Sequence, residues 1–176
     1  MKQFIVIICL SIAFASCNNA ATKEAGSDST GNTVKLPYSL QKPYRNWQIG
    51  STENVVTAMA ALKAFVDKDY TALATCMGDS VEIHMDYYAD TLSRDSAVKL
   101  FTGARAMYND LAVTMYDYES VISGDKTTEY VTIWYKEVWK NEKGIADSLN
   151  IVNDFKMKGG KMIELDEKVQ HFPAKK

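Results

Sequence analysis

Apolar residues recur at three- and four-residue spacings from Val55 to Val66 (Val55, Val56, Met59, Leu62, Phe65, Val66), with alanines between them, behind Ser51-Thr52-Glu53. That period belongs to an amphipathic helix, and its polar start to a side-chain cap. Asp67-Lys68-Asp69 breaks the pattern, and residues 70–77 predict a second, shorter helix that Gly78-Asp79 stops. From Ser80 the period changes to two. Val81, Ile83 and Met85 alternate with Glu82, His84 and Asp86, which predicts a half-buried strand. After an irregular stretch, Ser93 caps a third helix whose apolar positions are Val98, Phe101, Ala104, Tyr108 and Leu111.

The remainder reads as strand. Four β-rich runs cover 112–122, 128–140, 146–158 and 161–172, separated by Ser123-Gly124-Asp125, Asn141-Glu142-Lys143-Gly144 and Gly159-Gly160. Each separator has the turn chemistry of a hairpin. Helices followed by an antiparallel meander predict an α+β domain with its helices on one face of the sheet. A hydrophobic content of 47% and a charged content of 24% fit an ordinary globular protein. No run of lysine or arginine is long enough to track phosphates, which argues against a nucleic-acid partner.

The first 16 residues stand apart. Met1-Lys2 supplies a positive start, and residues 4–14 form an apolar stretch of signal-peptide length, too short to span a bilayer. Phe14-Ala15-Ser16-Cys17 looks like a lipobox with Phe in place of the usual aliphatic residue. The expected arrangement is a signal peptide over 1–16, a lipid on Cys17 and a flexible tether over 17–33. A docking segment over 34–50 and the domain over 51–172 complete it. Residues 18–33 hold no large apolar side chain, so the tether cannot offset its ordering entropy. The roughly 30 residues ahead of the domain would hold it on the order of 30 Å from the membrane. Tyr38, Tyr44, Trp47 and Ile49 give the docking segment something to pack with. A second reading stays open, because Ala13-Phe14-Ala15 also suits ordinary signal peptidase, which would release a soluble chain beginning at Ser16. The lipid reading places the protein on a membrane outside the cytoplasm, on the periplasmic or outer-membrane side of a Gram-negative envelope. Cys76 is then the only thiol left in the domain and reads as a small apolar core residue.

Trp47-Gln48-Ile49-Gly50, Asp79-Ser80-Val81-Glu82-Ile83-His84, and the late run Trp134 to Trp139 with Gly144, Ser148 and Lys158-Gly159-Gly160-Lys161 follow one another in a telling order. In that order the chain resembles the nuclear transport factor 2-like superfamily, its SnoaL-like branch in particular, over about residues 45–172. It also resembles small exported lipoproteins of Bacteroidetes. The resemblance implies a cone: a strongly bent, mostly antiparallel sheet wrapping a long first helix, with a pocket at the open end. It further implies frequent dimerisation through the outer sheet face. Functions within such a fold range from isomerases and dehydratases to pockets without known chemistry.

Strand parity points to the pocket residues. Leu149, Ile151, Phe155 and Met157 share a face with Asn153; Ile163, Leu165, Val169 and His171 share one with Glu167. Asn153 and Glu167 therefore interrupt apolar faces, and an inward carboxylate has its pKa raised by desolvation, the raw material of a general acid or base. A bulge would turn Glu167 outward, and a bond to Asn153 would give it a purely structural role. His84 and His171 are further wall candidates, without the spacing of a metal site. Ketosteroid isomerases of this fold use an acid near the end of the first strand, a place Asp86 could take. They also use a first-helix tyrosine, which residues 53–66 lack. Aromatics on both parities of the middle strands (Tyr116, Tyr118, Tyr130, Trp134, Tyr135) suit a homodimer face. No phosphate loop, nucleophile elbow or Cys-His pairing calls for a cofactor.

The expected function is non-enzymatic binding of a small, partly apolar ligand in the cone. The alternatives are an isomerase or dehydratase using Glu167 with Asp86, and a protein-interaction module of the cell envelope. Mass spectrometry of the protein extracted from its host's membranes is expected to give a chain beginning at lipid-modified Cys17. An unmodified chain beginning at Ser16 would select the soluble reading.

Overall fold

The computed structural model describes residues 36–40, 45–141 and 143–171. The leader, Cys17 and the tether lie outside them. Residues 36–40 are a bend with Leu36, Tyr38 and Leu40 exposed. Among the described residues no helix is long and apolar enough to cross a membrane.

The domain opens with a short strand β1 (Gln48–Ile49), followed by α1 (Thr52–Asp67), α2 (Tyr70–Cys76), β2 (Met77–Met85), β3 (Tyr88–Ser93) and α3 (Arg94–Ala106). Four long strands complete it: β4 (Asn109–Ile122), β5 (Glu129–Lys140), β6 (Ala146–Lys158) and β7 (Lys161–His171). All seven strands join one sheet in the order β1-β4-β5-β6-β7-β2-β3. Every described pairing is antiparallel except β2 with β7, where the chain has crossed the sheet. The helix α1 packs against β4, β5 and β7, which span four consecutive positions of the sheet, so the sheet curls around it.

Local sequence explains the element boundaries. Ser51 caps α1 by accepting from the Asn54 amide at 3.3 Å, and Asp69 and Ser93 cap α2 and α3 in the same way. Lys68 ends α1 in the left-handed conformation, with the Asp69 amide returning to the Ala64 carbonyl. The buried face of α1 is Val55, Ala58, Ala61, Leu62 and Ala64, whose small side chains let the helix lie close to the sheet. Val56, expected on that face, is 63% exposed, because the stripe runs along the alanines instead.

Three boundaries depart from the sequence reading. The irregular stretch after Met85 contains β3, which pairs with β2 from Ser80↔Ser93 to Met85↔Tyr88 and leaves a two-residue turn. The third helix ends at Ala106 and not at Leu111. Arg105 takes up the Tyr108 carbonyl there, and Asp110 adopts a positive φ of 51° as β4 begins. In β7 the register shifts between Lys156/Glu164 and Met157/Met162, so Met162 is the buried residue and Ile163 leaves the face shared by Leu165. The turn after β6 is Gly159-Gly160, both at positive φ, the conformation that a tight hairpin requires.

Residues 45–50 belong with the domain. The Gly124 amide donates to the Arg45 carbonyl at 2.8 Å, and the Arg45 guanidinium to Thr128 Oγ1 at 2.7 Å. Trp47 meets Tyr130 edge-on at 5.9 Å. On β4, Tyr116 and Tyr118 are more than half exposed, and the Tyr116 hydroxyl reaches Asn150 Oδ1 at 3.4 Å.

Gly50 is the tightest backbone approach. Its amide donates to the Ser120 carbonyl at 2.9 Å, and a Cβ there would strike Ser120 Oγ and lie 2.9 Å from the Val121 nitrogen. Gly103, on α3, has nothing within 4 Å of that position. Gly50→Ala is expected to lower stability by about 1–3 kcal/mol. Gly103→Ala is expected to raise it by about 0.5–1 kcal/mol, with chemical denaturation of both variants as the check.

Candidate functional site

The inner face of the cone is built by register. Strands β5 and β6 pair without a break from Glu129↔Met157 to Lys140↔Ala146. Val131, Ile133, Tyr135 and Glu137 therefore share one face with Ile151, Asn153, Phe155 and Met157, all buried. Strand β7 continues the rows with Phe155↔Leu165, Asn153↔Glu167 and Ile151↔Val169. The shift near Met162 lies before these rows, so Glu167 stays on the inward side.

Between this face and the helices lies a cavity of about 130 Å³. Its apolar wall includes Leu62, Phe65, Phe101, Ile151, Phe155 and Leu165. Five polar side chains interrupt that wall: Tyr108, Tyr135, Glu137, Asn153 and Glu167. An apolar cavity of roughly 150 Å³ holds a benzene ring, so the volume suits a body of roughly six to eight non-hydrogen atoms.

The polar groups are unevenly satisfied. Asn153, 4% exposed, donates through Nδ2 to the Tyr135 hydroxyl at 3.1 Å. Its Oδ1 is buried without a hydrogen-bond partner. An unmet buried acceptor costs about 1–3 kcal/mol, so it marks a place where a donor belongs.

Glu137 is 5% exposed, and its carboxyl is pushed up to about 7, first by burial and then by the charge of Glu167, with Arg105 opposing. Glu167 is also raised, by burial chiefly; a hydrogen bond from Asn153 opposes that shift and the charge of Asp86 adds to it. The phenols of Tyr135 and Tyr108 are pushed up by burial and by the same two carboxylates. Arg105, itself buried, is held by two carbonyls, with Nε donating to Val66 O at 3.0 Å and Nη1 to Tyr108 O at 2.6 Å. It thus fixes the end of α1 to the exit of α3 while placing a positive charge near Glu137.

The residues singled out from sequence divide between the cavity and its rim. Asn153 and Glu167 line the cavity. His84, Asp86 and Asp166 line a surface depression that shares Met85 and Glu167 with it, so the two adjoin at those side chains. His84 Nε2 lies 2.9 Å from Glu82 Oε1, and His171, largely exposed, lies 3.6 Å from Asp86 Oδ2. Neither histidine lines the cavity. Among the described residues no group of three or more His, Cys, Asp and Glu is arranged to hold a metal ion. Cys76 is buried, and burial raises its thiol.

Sequence reasoning missed Glu137. Its signal was present, since it follows Val131, Ile133 and Tyr135 at period two.

The strand order, the helix on its inner face and the cavity between them together define a known architecture. The domain has the nuclear transport factor 2-like fold. Similar solved structures include a nuclear transport factor 2-like protein of unknown function from Burkholderia pseudomallei, at a TM-score of 0.56 and 10% identity, covering 68% of this chain and 92% of that one. An LEH-like epoxide hydrolase from Mycobacterium tuberculosis matches at 0.53 and 12% identity, over 68% and 84%. A hypothetical protein with a ketosteroid isomerase-like fold from Catenulispora acidiphila, in complex with trimethylamine, matches at 0.52 and 15% identity, over 64% and 83%. No protein-family model and no curated protein matches the sequence.

Glu137 gives a signed pH dependence. The unfolded chain loses this proton near the ordinary value of 4.5, whereas the folded chain keeps it until about 7. Between those values the native state binds more protons, so stability falls as pH rises through the window and levels off above it. Up to about 3 kcal/mol is at stake. Glu137→Gln is expected to flatten this part of the profile and to be more stable than the parent at pH 8, as read by thermal denaturation across pH.

Proposed function

We propose that the cone is a non-enzymatic binding pocket for a small, largely apolar molecule. The observation that carries this reading is the buried, unpartnered Oδ1 of Asn153 in the wall of an apolar cavity of about 130 Å³. Pockets of this makeup bind through apolar area and take orientation from a few polar groups. With a lipid on Cys17, the site would work at a membrane surface outside the cytoplasm.

A second reading, proton transfer on a bound substrate, is favoured by one observation: Glu137 titrates at about 7 beside a second inward carboxylate. A general acid or base works best with such a value. Tyr135, from β5, receives Asn153 Nδ2 on its oxygen and keeps its own proton to donate. Solved structures of the same fold include an epoxide hydrolase and a protein in complex with trimethylamine, so the architecture accommodates both readings.

Ligand-detected NMR with toluene, phenol and benzylamine is expected to show saturable binding, with dissociation constants of about 10 µM to 1 mM for ligands this small. Ala104→Leu, which fills the cavity from α3, is expected to abolish it. Absence of saturable binding by every probe would overturn the pocket reading. Turnover of any bound compound that Glu137→Gln removes would put the catalytic reading in its place.

A further inference from the structure

Resting on the pocket reading, we infer that the ligand is a small apolar amine, bound as its ammonium ion in the joint field of Glu137 and Glu167 with an N–H donated to Asn153 Oδ1. Three features of the site point to this class.

The first is the balance of donors and acceptors. Of the five polar groups lining the cavity, two are carboxylates and a third, Asn153, presents an unmet carbonyl oxygen. The two phenols bring one proton each. On such a wall acceptors outnumber donors, so a ligand rich in donors matches it. A carboxylic acid or phosphate ligand would bring more negative charge and more acceptors to a site already rich in both.

Charge gives the second. Lys, Arg and His are missing from the described lining of the cavity. The groups facing Glu137 are Glu167 from β7, Arg105 from α3, Tyr108 from the link between α3 and β4, and Tyr135 two residues away on its own strand. Asp86 from the end of β2 faces Glu167. Of these only Arg105 is positive, and its guanidinium is already committed to the Val66 and Tyr108 carbonyls. With one fixed cation against two inward carboxylates, the site carries an excess of negative charge in a desolvated place whenever both are ionised. A cationic ligand relieves that excess.

Access supplies the third. Glu167 and Met85 line both the cavity and the outer depression, whose other lining groups include Asp86 and Asp166. Lys168 is shared between Asp166 and Asp154 at 2.9 Å each, His171 stands 3.6 Å from Asp86, and His84 lines the same depression, so three acids, Asp86, Asp166 and Glu167, border the opening beside these basic groups. Tyr87, 99% exposed, offers an aromatic face at the same rim. Carboxylates and an aromatic ring along the way in favour an approaching cation. The apolar remainder of the wall then takes a body about the size of a benzene ring, which excludes bulky or polycationic amines.

The test compares ligands of one shape that differ in the head group: benzylamine, benzyl alcohol, toluene and benzoate, titrated calorimetrically against the full domain. Benzylamine is expected to bind at least about tenfold tighter than benzyl alcohol at pH 8, and benzoate not at all. Its affinity is expected to fall as the pH drops from 8 to 5.5 and Glu137 takes up its proton. At pH 7 its binding is expected to release protons, seen by comparing buffers of different ionisation enthalpy. Glu137→Gln and Glu167→Gln are each expected to remove most of the preference for benzylamine over benzyl alcohol. Equal affinity for benzyl alcohol and benzylamine, or binding of benzoate, would overturn the amine inference and leave the pocket reading standing. Failure of all four, toluene included, would remove the pocket itself.

Discussion

Everything inside the cone depends on the register of β5 against β6. Their pairing is unbroken over twelve residue pairs, from Glu129↔Met157 to Lys140↔Ala146. Because side chains alternate with a period of two, a slip by one residue would exchange Val131, Ile133 and Tyr135 for Thr132, Trp134 and Lys136 on the inner face. The apolar contacts with α1 and α3 would then be lost together. This all-or-none penalty fixes the register tightly enough to carry polar passengers. Glu137 and Asn153 stay inward because the apolar residues on the same strands leave them no alternative.

Such passengers need support, and Arg105 gives part of it. A buried guanidinium is expensive unless its donors are used, and here two of them end on main-chain carbonyls left over where α1 and α3 stop. The same residue therefore closes two helix ends and lowers the cost of a carboxylate nearby. The compensation is incomplete, since Glu137 still sits at about 7. A fold built for stability alone would place leucine or methionine there, as it does at Leu149 and Met157 on the neighbouring strand.

The sequence carried most of this fold and part of the site. Period and capping residues located α1, α2, the start of α3 and the four long strands, because those signals are local. Asn153 and Glu167 were legible as polar interruptions of apolar faces. Glu137 had the same parity signal but sits in the aromatic run Trp134 to Trp139, where alternation is hidden by large side chains on both faces. Strand β3 was illegible, since Tyr88–Ser93 is largely exposed and lacks an apolar stripe. Ile163 was misplaced because a bulge depends on pairing with β6, and nothing in β7 alone encodes it. The end of α3 escaped for a related reason: Arg105 terminates it through a carbonyl on the following loop, a contact that spacing does not announce.

Asn153 decides between a structural and a functional account of the inward polar groups. Were its role only to tie β6 to its neighbours, both ends of the amide would be engaged, as the strands flanking it are rigid and in register. Instead Nδ2 serves both neighbours, Tyr135 on β5 and Glu167 on β7, while Oδ1 is left unmet. Protein interiors rarely tolerate that, and here the deficit coincides with unfilled volume on the inner side of the sheet and with two carboxylates whose charge burial opposes. An unmet acceptor, excess negative charge and empty apolar space each cost stability separately. A single ligand with a donating, positively charged end and an apolar body relieves all three, so their coincidence in one cavity is better explained by an occupant than by three unrelated defects of packing.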